Sequence, residues 1–197
     1  MTPITLASTS ATRSAILRAA GVAFTTVAPG IDERAVKGDL LRRGYGAAQV
    51  ADRLAEMKAL AVSSRAPDLV IGADQTLDLA GALMDKARTA AQARRRLLDL
   101  RGRTHTLHTT VVVAQHGAVS WREAQTAKLT MRTFSDDFLD GYMARLGDGA
   151  LSSLGSYFVE GEGIQLFERI EGDYFAILGL PLLGLLNALR RAGGLAA

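Results

Sequence analysis

The chain has no cysteine among its 197 residues. Disulfide bonds, thiolate catalysis and cysteine-ligated zinc sites are therefore excluded. Histidine is also scarce, with three residues in all, and two of them, His105 and His108, lie in one strand-like run. Their spacing places the two side chains on opposite faces of a strand, so they cannot chelate one metal ion together.

Charge of one sign is not in large excess, since 23 basic and 20 acidic residues give a formal net charge of +3. A small and scattered excess suits an anionic small molecule and does not predict a nucleic-acid surface. The charge-free run from Tyr174 to Leu189 is shorter than the roughly 20 apolar residues of a membrane span, and glycine and proline interrupt it. With no recognisable secretory signal, we expect a cytoplasmic protein without membrane or nucleic-acid partners.

Two familiar nucleotide-binding motifs are missing as well. No G-x-x-x-x-G-K-[ST] segment occurs, which excludes a P-loop enzyme. The glycines around Glu162 lack the third glycine and the strand-to-helix context of a dinucleotide-binding fingerprint.

The composition that remains, 48% hydrophobic and 22% charged, is that of a globular protein, and we expect one domain over residues 1–197. Strand and helix patterns alternate early, and a long hairpin occupies the middle of the chain, which indicates a mixed α/β fold. Predicted strands cover residues 2–7, 24–27, 69–73, 104–114 and 119–134, with a small hairpin over 77–83. Predicted helices cover residues 11–20, 46–64, 89–100, 135–146 and 182–191. The run that begins at Tyr174 is predicted to start as a buried strand.

The loop from Ser8 to Ser10 is the first candidate for chemistry, because it precedes a predicted helix. The N-terminus of a helix presents unpaired N–H groups and a partial positive charge, and it therefore attracts phosphate. Arg13 lies in the first turn, where a cation opposes the helix dipole, and an anionic ligand would explain its position. A capped surface helix with a stray arginine explains the same residues.

Asp74 is the second candidate, because it follows an apolar run and is predicted to stand at the C-terminal end of a buried strand. That position is where α/β proteins place reactive groups, and Gly72 leaves room for a ligand or a backbone to approach. A turn aspartate is the alternative. Lys58 and Lys86 are suitable phosphate ligands but could equally be surface residues, and Glu33 taken alone indicates an ordinary loop residue.

In their order along the chain, these segments resemble the Maf family of septum-formation-inhibitor-like nucleotide pyrophosphatases. The resemblance runs from end to end and includes no segment that is specific by itself. The matching segments are Leu6-Ala7-Ser8-Thr9-Ser10-x-x-Arg13, Asp32-Glu33, Leu54-Ala55-x-x-Lys58-Ala59, Val70-Ile71-Gly72-Ala73-Asp74, Asp85-Lys86, Leu100-x-Gly102-Arg103-x-His105, Gly161-x-Gly163, Ile170-x-Gly172-Asp173-Tyr174 and Leu178-Gly179-Leu180-Pro181.

The resemblance implies an elongated α/β fold with a central cleft, related to the inosine-triphosphate pyrophosphatases. It also implies hydrolysis of a nucleoside triphosphate to the monophosphate and pyrophosphate. The implied phosphate-binding residues are Ser8, Arg13 and Lys58. The implied catalytic residues are Glu33, Asp74 and Lys86, of which Lys86 holds a phosphate. Glu33 and Asp74 would serve a divalent cation, Mg²⁺ or Mn²⁺, and the attacking water, with Asp74 as proton acceptor.

The substrate branch is indicated by Thr12, Gln75 and Glu160. Family members that take dTTP and UTP carry Thr after the catalytic Asp and Gln before the late glycines, where this chain has Gln75 and Glu160. The chain therefore resembles the branch that acts on 7-methyl-GTP, and Glu160 could accept hydrogen bonds from guanine or offset a methylated ring's charge. Thr12 replaces the usual Arg or Trp, and Ala87 replaces the usual Pro after Lys86, which leaves that loop less rigid.

Three alternatives remain open at this point: a dTTP/UTP pyrophosphatase, a nucleotide-binding regulator of cell division, and a phosphatase that removes the terminal phosphate. The intact polar set favours an enzyme, because a binding protein has no need of Asp74 beside Glu33. An enzyme of the 7-methyl-GTP branch would keep modified nucleotides out of nucleic acids. The resemblance also implies a homodimer, the usual form of the family's members.

Overall fold

The computed structural model describes residues 1–196 and divides the chain into two compact units. The first unit comprises Met1–Gln75, His108–Thr126 and the segment that begins at Asp173. The second comprises Thr76–Leu107 and Ala127–Gly172. The single domain expected over residues 1–197 stays a prediction.

The strands of the described part of the chain form one mixed sheet in the order β2-β1-β3-β5-β6-β7, with β4 paired to β3. Strand β1 pairs in parallel with β2 and β3, whereas the β3–β4 and β6–β7 pairs are antiparallel. The strands are β1 (Ile4–Leu6), β2 (Thr25–Thr26), β3 (Leu69–Leu79), β4 (Ala82–Met84), β5 (Thr104–Gln115), β6 (Ala118–Met131) and β7 (Phe167–Glu171).

The helices confirm the α/β class that the sequence predicts. They are α1 (Ala11–Ala19), α2 (Glu33–Arg42), α3 (Ala47–Ser63), α4 (Ala90–Leu100), α5 (Asp136–Leu146), α6 (Tyr174–Ile177) and α7 (Leu182–Arg191). Short 3₁₀ helices span Gly147–Leu151 and Glu162–Leu166.

Helix starts were predictable where a hydroxyl residue caps them. Ser10, Thr89 and Ser135 each accept a hydrogen bond from the backbone N–H three residues further on. Each bond satisfies one of the amide donors that have no partner inside the helix. Helices α1, α4 and α5 therefore begin where the sequence predicts.

Helix α2 was not predicted, because the pair Asp32-Glu33 was interpreted as part of a loop. In the structure Asp32 is the N-cap and its side chain accepts a hydrogen bond from Ala35 N at 3.0 Å. Leu40 is the one buried residue of this helix, so its sequence has no apolar stripe from which a helix could be predicted.

Two boundaries of the sequence interpretation are wrong. Strand β3 does not end at Asp74 but continues to Leu79, because the residues that follow are largely buried and pair with β4. The segment that begins at Tyr174 is helix α6 and not a strand, since the Asp173 side chain caps it by accepting from Ala176 N at 2.7 Å.

The first unit packs helices on both faces of its strands. On one face, buried residues of α1 and α7 such as Leu17 and Leu189 join Leu6 and Ile71 in one core cluster. On the other face α3 lies so close to β3 that a Cβ on Gly72 would stand 2.3 Å from the carbonyl oxygen of Ala55. The close approach at Gly72 is therefore to a backbone and not to a ligand.

The second unit has a core of its own. Its fully buried side chains include Leu97 and Leu100 of α4, Leu139 and Tyr142 of α5, and Leu166. Complete burial of a leucine side chain contributes about 1.5–3 kcal/mol to the free energy of unfolding.

No helix within residues 1–196 is both long and apolar enough to cross a membrane.

Candidate active site

Lys58 lies at the centre of a charged cluster in the first unit. Its Nζ lies 2.7 Å from Asp74 Oδ1 and 2.8 Å from Glu33 Oε2, so one ammonium group bridges two carboxylates. The side chains of Lys58 and Asp74 are buried, whereas that of Glu33 is half exposed. The structure thus brings together three of the residues that the resemblance assigns to catalysis and phosphate binding.

Three separate elements place these charges. Glu33 is the first residue of α2, Lys58 lies in the buried stripe of α3, and Asp74 lies within β3. Side chains alternate between the two faces of a strand, so Asp74 shares the face of Gly72, against which α3 packs. The close helix–strand approach that Gly72 permits therefore brings Lys58 within reach of Asp74.

The loop before α1 holds Arg13 in a buried position. Its guanidinium donates from Nε to Gly179 O at 2.8 Å and lies 3.4 Å from Ser8 Oγ. Ser8 Oγ also accepts a hydrogen bond from Ser10 N at 3.1 Å. The predicted phosphate-binding residues Ser8 and Arg13 are thus in direct contact, and Arg13 is 9% exposed, which a stray surface arginine would not be.

Burial and charge shift the pKa values of this cluster. Desolvation raises the pKa of Asp74 above that of an ordinary aspartate, while Lys58 and then Arg13 oppose the rise. Desolvation lowers the pKa of Arg13, while Asp74 and Glu33 oppose the fall. A carboxyl group whose pKa is raised is a stronger proton acceptor, which is a property expected of a catalytic base.

Gln75 follows Asp74 and points to the opposite face of β3. Its Nε2 donates to Thr109 Oγ1 at 2.8 Å and to Ala176 O at 2.9 Å. Gln75 was predicted from the sequence as a site residue, whereas Thr109, which holds it, was not. Gly179, which holds Arg13, lies in a matching segment but was given no role. No local signal marked Thr109, because β5 contains three other threonines.

The remaining predicted residues lie at other places. Thr12 is a half-buried residue in the first turn of α1, within the first unit. Lys86 is exposed in the segment between β4 and α4, and Glu160 is exposed just before the second 3₁₀ helix, both within the second unit. Ala87, which replaces the family's usual proline, is buried in a cluster with Ala93.

Two carboxylates are available to hold a divalent cation in the first unit. Among the described residues no group of three or more His, Cys, Asp or Glu side chains could hold a metal ion. Mg²⁺ is commonly bound by one or two carboxylates, with the remaining ligands from water and substrate phosphates. Glu33 and Asp74 fit a site with two carboxylate ligands, because their oxygens lie within hydrogen-bond distance of the same Lys58 nitrogen.

The sequence of the chain was compared with protein families, and the model for Maf-like proteins matches residues 3–192. The chain belongs to the Maf family. The resemblance seen in its ordered motifs is therefore confirmed, and it extends through both units of this Maf-family chain.

Similar proteins match over nearly the whole length. A Caulobacter vibrioides protein named nucleoside triphosphate pyrophosphatase is 57% identical over 195 residues, which cover 99% of this chain and 98% of that protein. A Brucella abortus protein named 7-methyl-GTP pyrophosphatase is 49% identical over 189 residues, 95% of each chain. A Rhizobium meliloti protein of the same name is 48% identical over 193 residues, 98% of this chain and 97% of that protein.

Proposed function

We propose that this protein hydrolyses a nucleoside triphosphate to the nucleoside monophosphate and pyrophosphate. The relatives' names give the same enzyme class, a hydrolase that acts on a phosphoanhydride bond. The observation that carries the proposal is the buried Lys58 that joins Asp74 and Glu33 in one cluster, with Arg13 close enough to influence Asp74.

The charges of the cluster explain why the substrate would need a cation. Two cationic and two anionic side chains cancel, so the cluster itself offers a triphosphate no net attraction. Two carboxylates beside a polyphosphate would repel it, and one of them would be driven to take up a proton. We infer that Mg²⁺ or Mn²⁺ is required, with Glu33 and Asp74 as its protein ligands.

When bound there, the cation would neutralise phosphate charge and lower the pKa of a coordinated water molecule far below that of bulk water, towards about 7. The protein's own side chains would do the rest. Arg13, Ser8 and the N-terminus of α1 would orient the phosphates. Lys58 would keep the two carboxylates together despite their mutual repulsion.

Asp74 would accept the proton of the attacking water. The water oxygen bonds to the α-phosphorus, the bond from that phosphorus to the bridging oxygen breaks, and pyrophosphate leaves with that oxygen. The raised pKa of Asp74 strengthens it as the acceptor. Catalysis would consist mainly of positioning and charge neutralisation, as in phosphoryl transfer generally.

We further propose a 7-methyl-GTP-like substrate. Gln75 and Glu160 stand where the resemblance distinguishes this branch from the dTTP/UTP branch, and two similar proteins carry that substrate in their names. The same proposal includes three further expectations from the resemblance. Lys86 and Glu160 would contact the substrate, the fold would be of the inosine-triphosphate-pyrophosphatase type with a central cleft, and the protein would form a homodimer.

The test is product analysis on a panel of normal and methylated nucleoside triphosphates, each incubated with Mg²⁺, with Mn²⁺ or with a chelator. We expect pyrophosphate and nucleoside monophosphate in equal amounts, the fastest release from 7-methyl-GTP, and no release with the chelator. Orthophosphate would indicate a terminal phosphatase. Nucleotide binding without any product would indicate the regulatory alternative.

A further inference from the structure

The side-chain amide of Gln75 has a defined orientation. Its Nε2 lies 2.8 Å from Thr109 Oγ1, 2.9 Å from Ala176 O and 3.0 Å from Ile177 O. The reverse orientation would place the amide oxygen Oε1 against two backbone carbonyl oxygens, which repel it. The nitrogen therefore faces the protein, and Oε1 is the atom that Gln75 presents on its other side.

The hydroxyl of Thr109 is the nearest of the three acceptors around the amide nitrogen and supports this orientation. Thr109 is 1% exposed, and its Oγ1 lies 2.9 Å from Ala176 O, a group that can only accept. The single hydroxyl hydrogen therefore goes to Ala176, and the oxygen is left to accept from Gln75. The two hydrogens of the Gln75 amide are thus shared among three acceptors, all of which attract the nitrogen and not the oxygen of the amide.

The turn after α6 connects Gln75 with the phosphate-binding arginine. Gly179 O accepts the hydrogen bond from Arg13 Nε at 2.8 Å. A Cβ built on Gly179 would lie 3.6 Å from Arg13 Nε and 4.0 Å from Gln75 Oε1. The oxygen of Gln75 and the guanidinium of Arg13 thus flank the same residue, whose φ of +101° also favours glycine.

We infer that Thr109 is a positioning residue that presents Gln75 Oε1 to the substrate as a hydrogen-bond acceptor. An oxygen at this place attracts an N–H, an O–H or a cationic N-methylated ring, and it repels the lone pair of an unmethylated ring nitrogen. Gln75 therefore selects the class of nucleotides that present a donor or a positive charge there. The inference rests on the proposed function and names the chemistry of its selectivity.

The experiment compares kcat/KM for the preferred and the next-best nucleotide of the panel in the wild type and in Thr109→Val. Valine keeps the shape of threonine but neither donates to Ala176 nor accepts from Gln75, so the amide loses the shortest of its three contacts and is held less firmly. We expect the ratio of the two kcat/KM values to fall about tenfold, mainly through KM of the preferred nucleotide, since one buried hydrogen-bonding position is lost.

Thr110→Val is the matched control. Thr110 is the next residue of β5, is equally buried at 2% exposure and points to the opposite face of the strand. We expect it to keep the ratio. Thr109→Ser retains the hydroxyl and should restore the ratio, which a loss of stability alone would not do.

A double-mutant cycle decides whether Thr109 acts through Gln75. In a Gln75→Met background, Thr109→Val should change the ratio no further, because the group it orients is gone. Gln75→Met alone should lower the ratio as Thr109→Val does. If Thr109→Val fails to fold, Thr109→Ala takes its place, because alanine also lacks the hydroxyl.

The two proposals fail in different ways. If the wild-type protein releases no pyrophosphate from any nucleotide, the proposed function is wrong. If it does, but Gln75→Met or a folded Thr109→Val keeps the wild-type ratio, the inference about Thr109 and Gln75 is overturned.

Discussion

The two units bury polar side chains in opposite ways. In the first unit, Lys58 and Asp74 are buried as members of a charged cluster, and the carboxyl pKa is raised by its burial. In the second unit, His105 Nε2 is hydrogen-bonded to Tyr157 Oη at 2.7 Å, and burial lowers the pKa of His105 to about 4. That imidazole is therefore uncharged at neutral pH.

The difference separates a candidate site of chemistry from a structural contact. A lone buried ionisable group usually gives up its charge, as His105 does, because desolvation disfavours the ionised form. A buried group of positive and negative side chains often makes a protein less stable than hydrophobic residues of similar volume would in the same place. Such a cost is expected where the charges have a function, and this expectation can be tested in both units.

The largest effect is expected for Asp74→Asn. Pyrophosphate release should fall on the order of 10³-fold or more, because the proton acceptor is lost. The variant should keep most of its thermal stability, because Lys58 retains Glu33 as its counter-ion and the carboxylate removed is one whose ionised form burial disfavours. Steady-state kinetics and thermal unfolding measure the two effects.

Asp39→Asn is the control for this variant, because Asp39 forms exposed ion pairs on the surface of α2. It should leave turnover unchanged. Full activity in Asp74→Asn would show that Asp74 is not the base. A marked loss of stability would show that the buried charges of the first unit serve stability as well as function.

The second prediction concerns Lys58→Met, which leaves Glu33 and Asp74 without their shared cation. Removal of one partner from a buried ion pair destabilises a protein by about 3–5 kcal/mol. Because the loss of Lys58 raises the pKa of Asp74 further, the deficit should shrink as the pH falls and Asp74 becomes protonated. Millimolar Mg²⁺ or Mn²⁺ without nucleotide should also stabilise this variant more than the wild type.

Denaturant unfolding at several pH values, with and without the metal ion, checks this prediction. Lys128→Met removes the same charge from an exposed position of β6 and should change stability little. A Lys58→Met variant as stable as the wild type and insensitive to pH and metal would show that the bridge does not hold the carboxylates.

The third prediction is a pH dependence in the second unit. The unfolded chain binds a proton at His105 below its ordinary pKa of about 6.5, whereas the folded chain does so only near 4. Stability should therefore fall as the pH drops from about 6.5 to about 4. The contribution of His105 amounts to about 3 kcal/mol.

His105→Gln isolates this effect, because glutamine can still bond to Tyr157 but does not titrate. The wild type should lose about 3 kcal/mol more than the variant between pH 6.5 and 4 in denaturant unfolding. Parallel pH curves for the two proteins would mean that His105 is charged in the folded state.

The fold was largely predictable where local chemistry decides it. Caps at Ser10 and Ser135 and the apolar stripe of α3 are local signals, and these helices begin where the sequence predicts. Helix α2 was missed because it buries Leu40 alone, and the end of β3 was misplaced because a charged residue within a buried strand imitates a turn. The cap at Asp32 is itself a local signal, whereas the end of β3 is decided by its pairing with β4.

The candidate site was predictable only through the family resemblance. Nothing in the local sequence indicates that Lys58 bridges Glu33 and Asp74, because three different elements must pack before the charges meet. Thr109 carries no recognisable motif, and its role follows from its contacts with Gln75 and Ala176. Of the residues singled out, Gly72 was the clearest local signal, and its contact is with the backbone of α3.

The central claim is that the cluster around Lys58 directs water to the α-phosphorus. Hydrolysis of the preferred nucleotide in ¹⁸O-labelled water, followed by ³¹P NMR of both products, tests it most directly. The account predicts that the label appears in the phosphate of the nucleoside monophosphate and not in pyrophosphate. Label in pyrophosphate, or in orthophosphate, would contradict it.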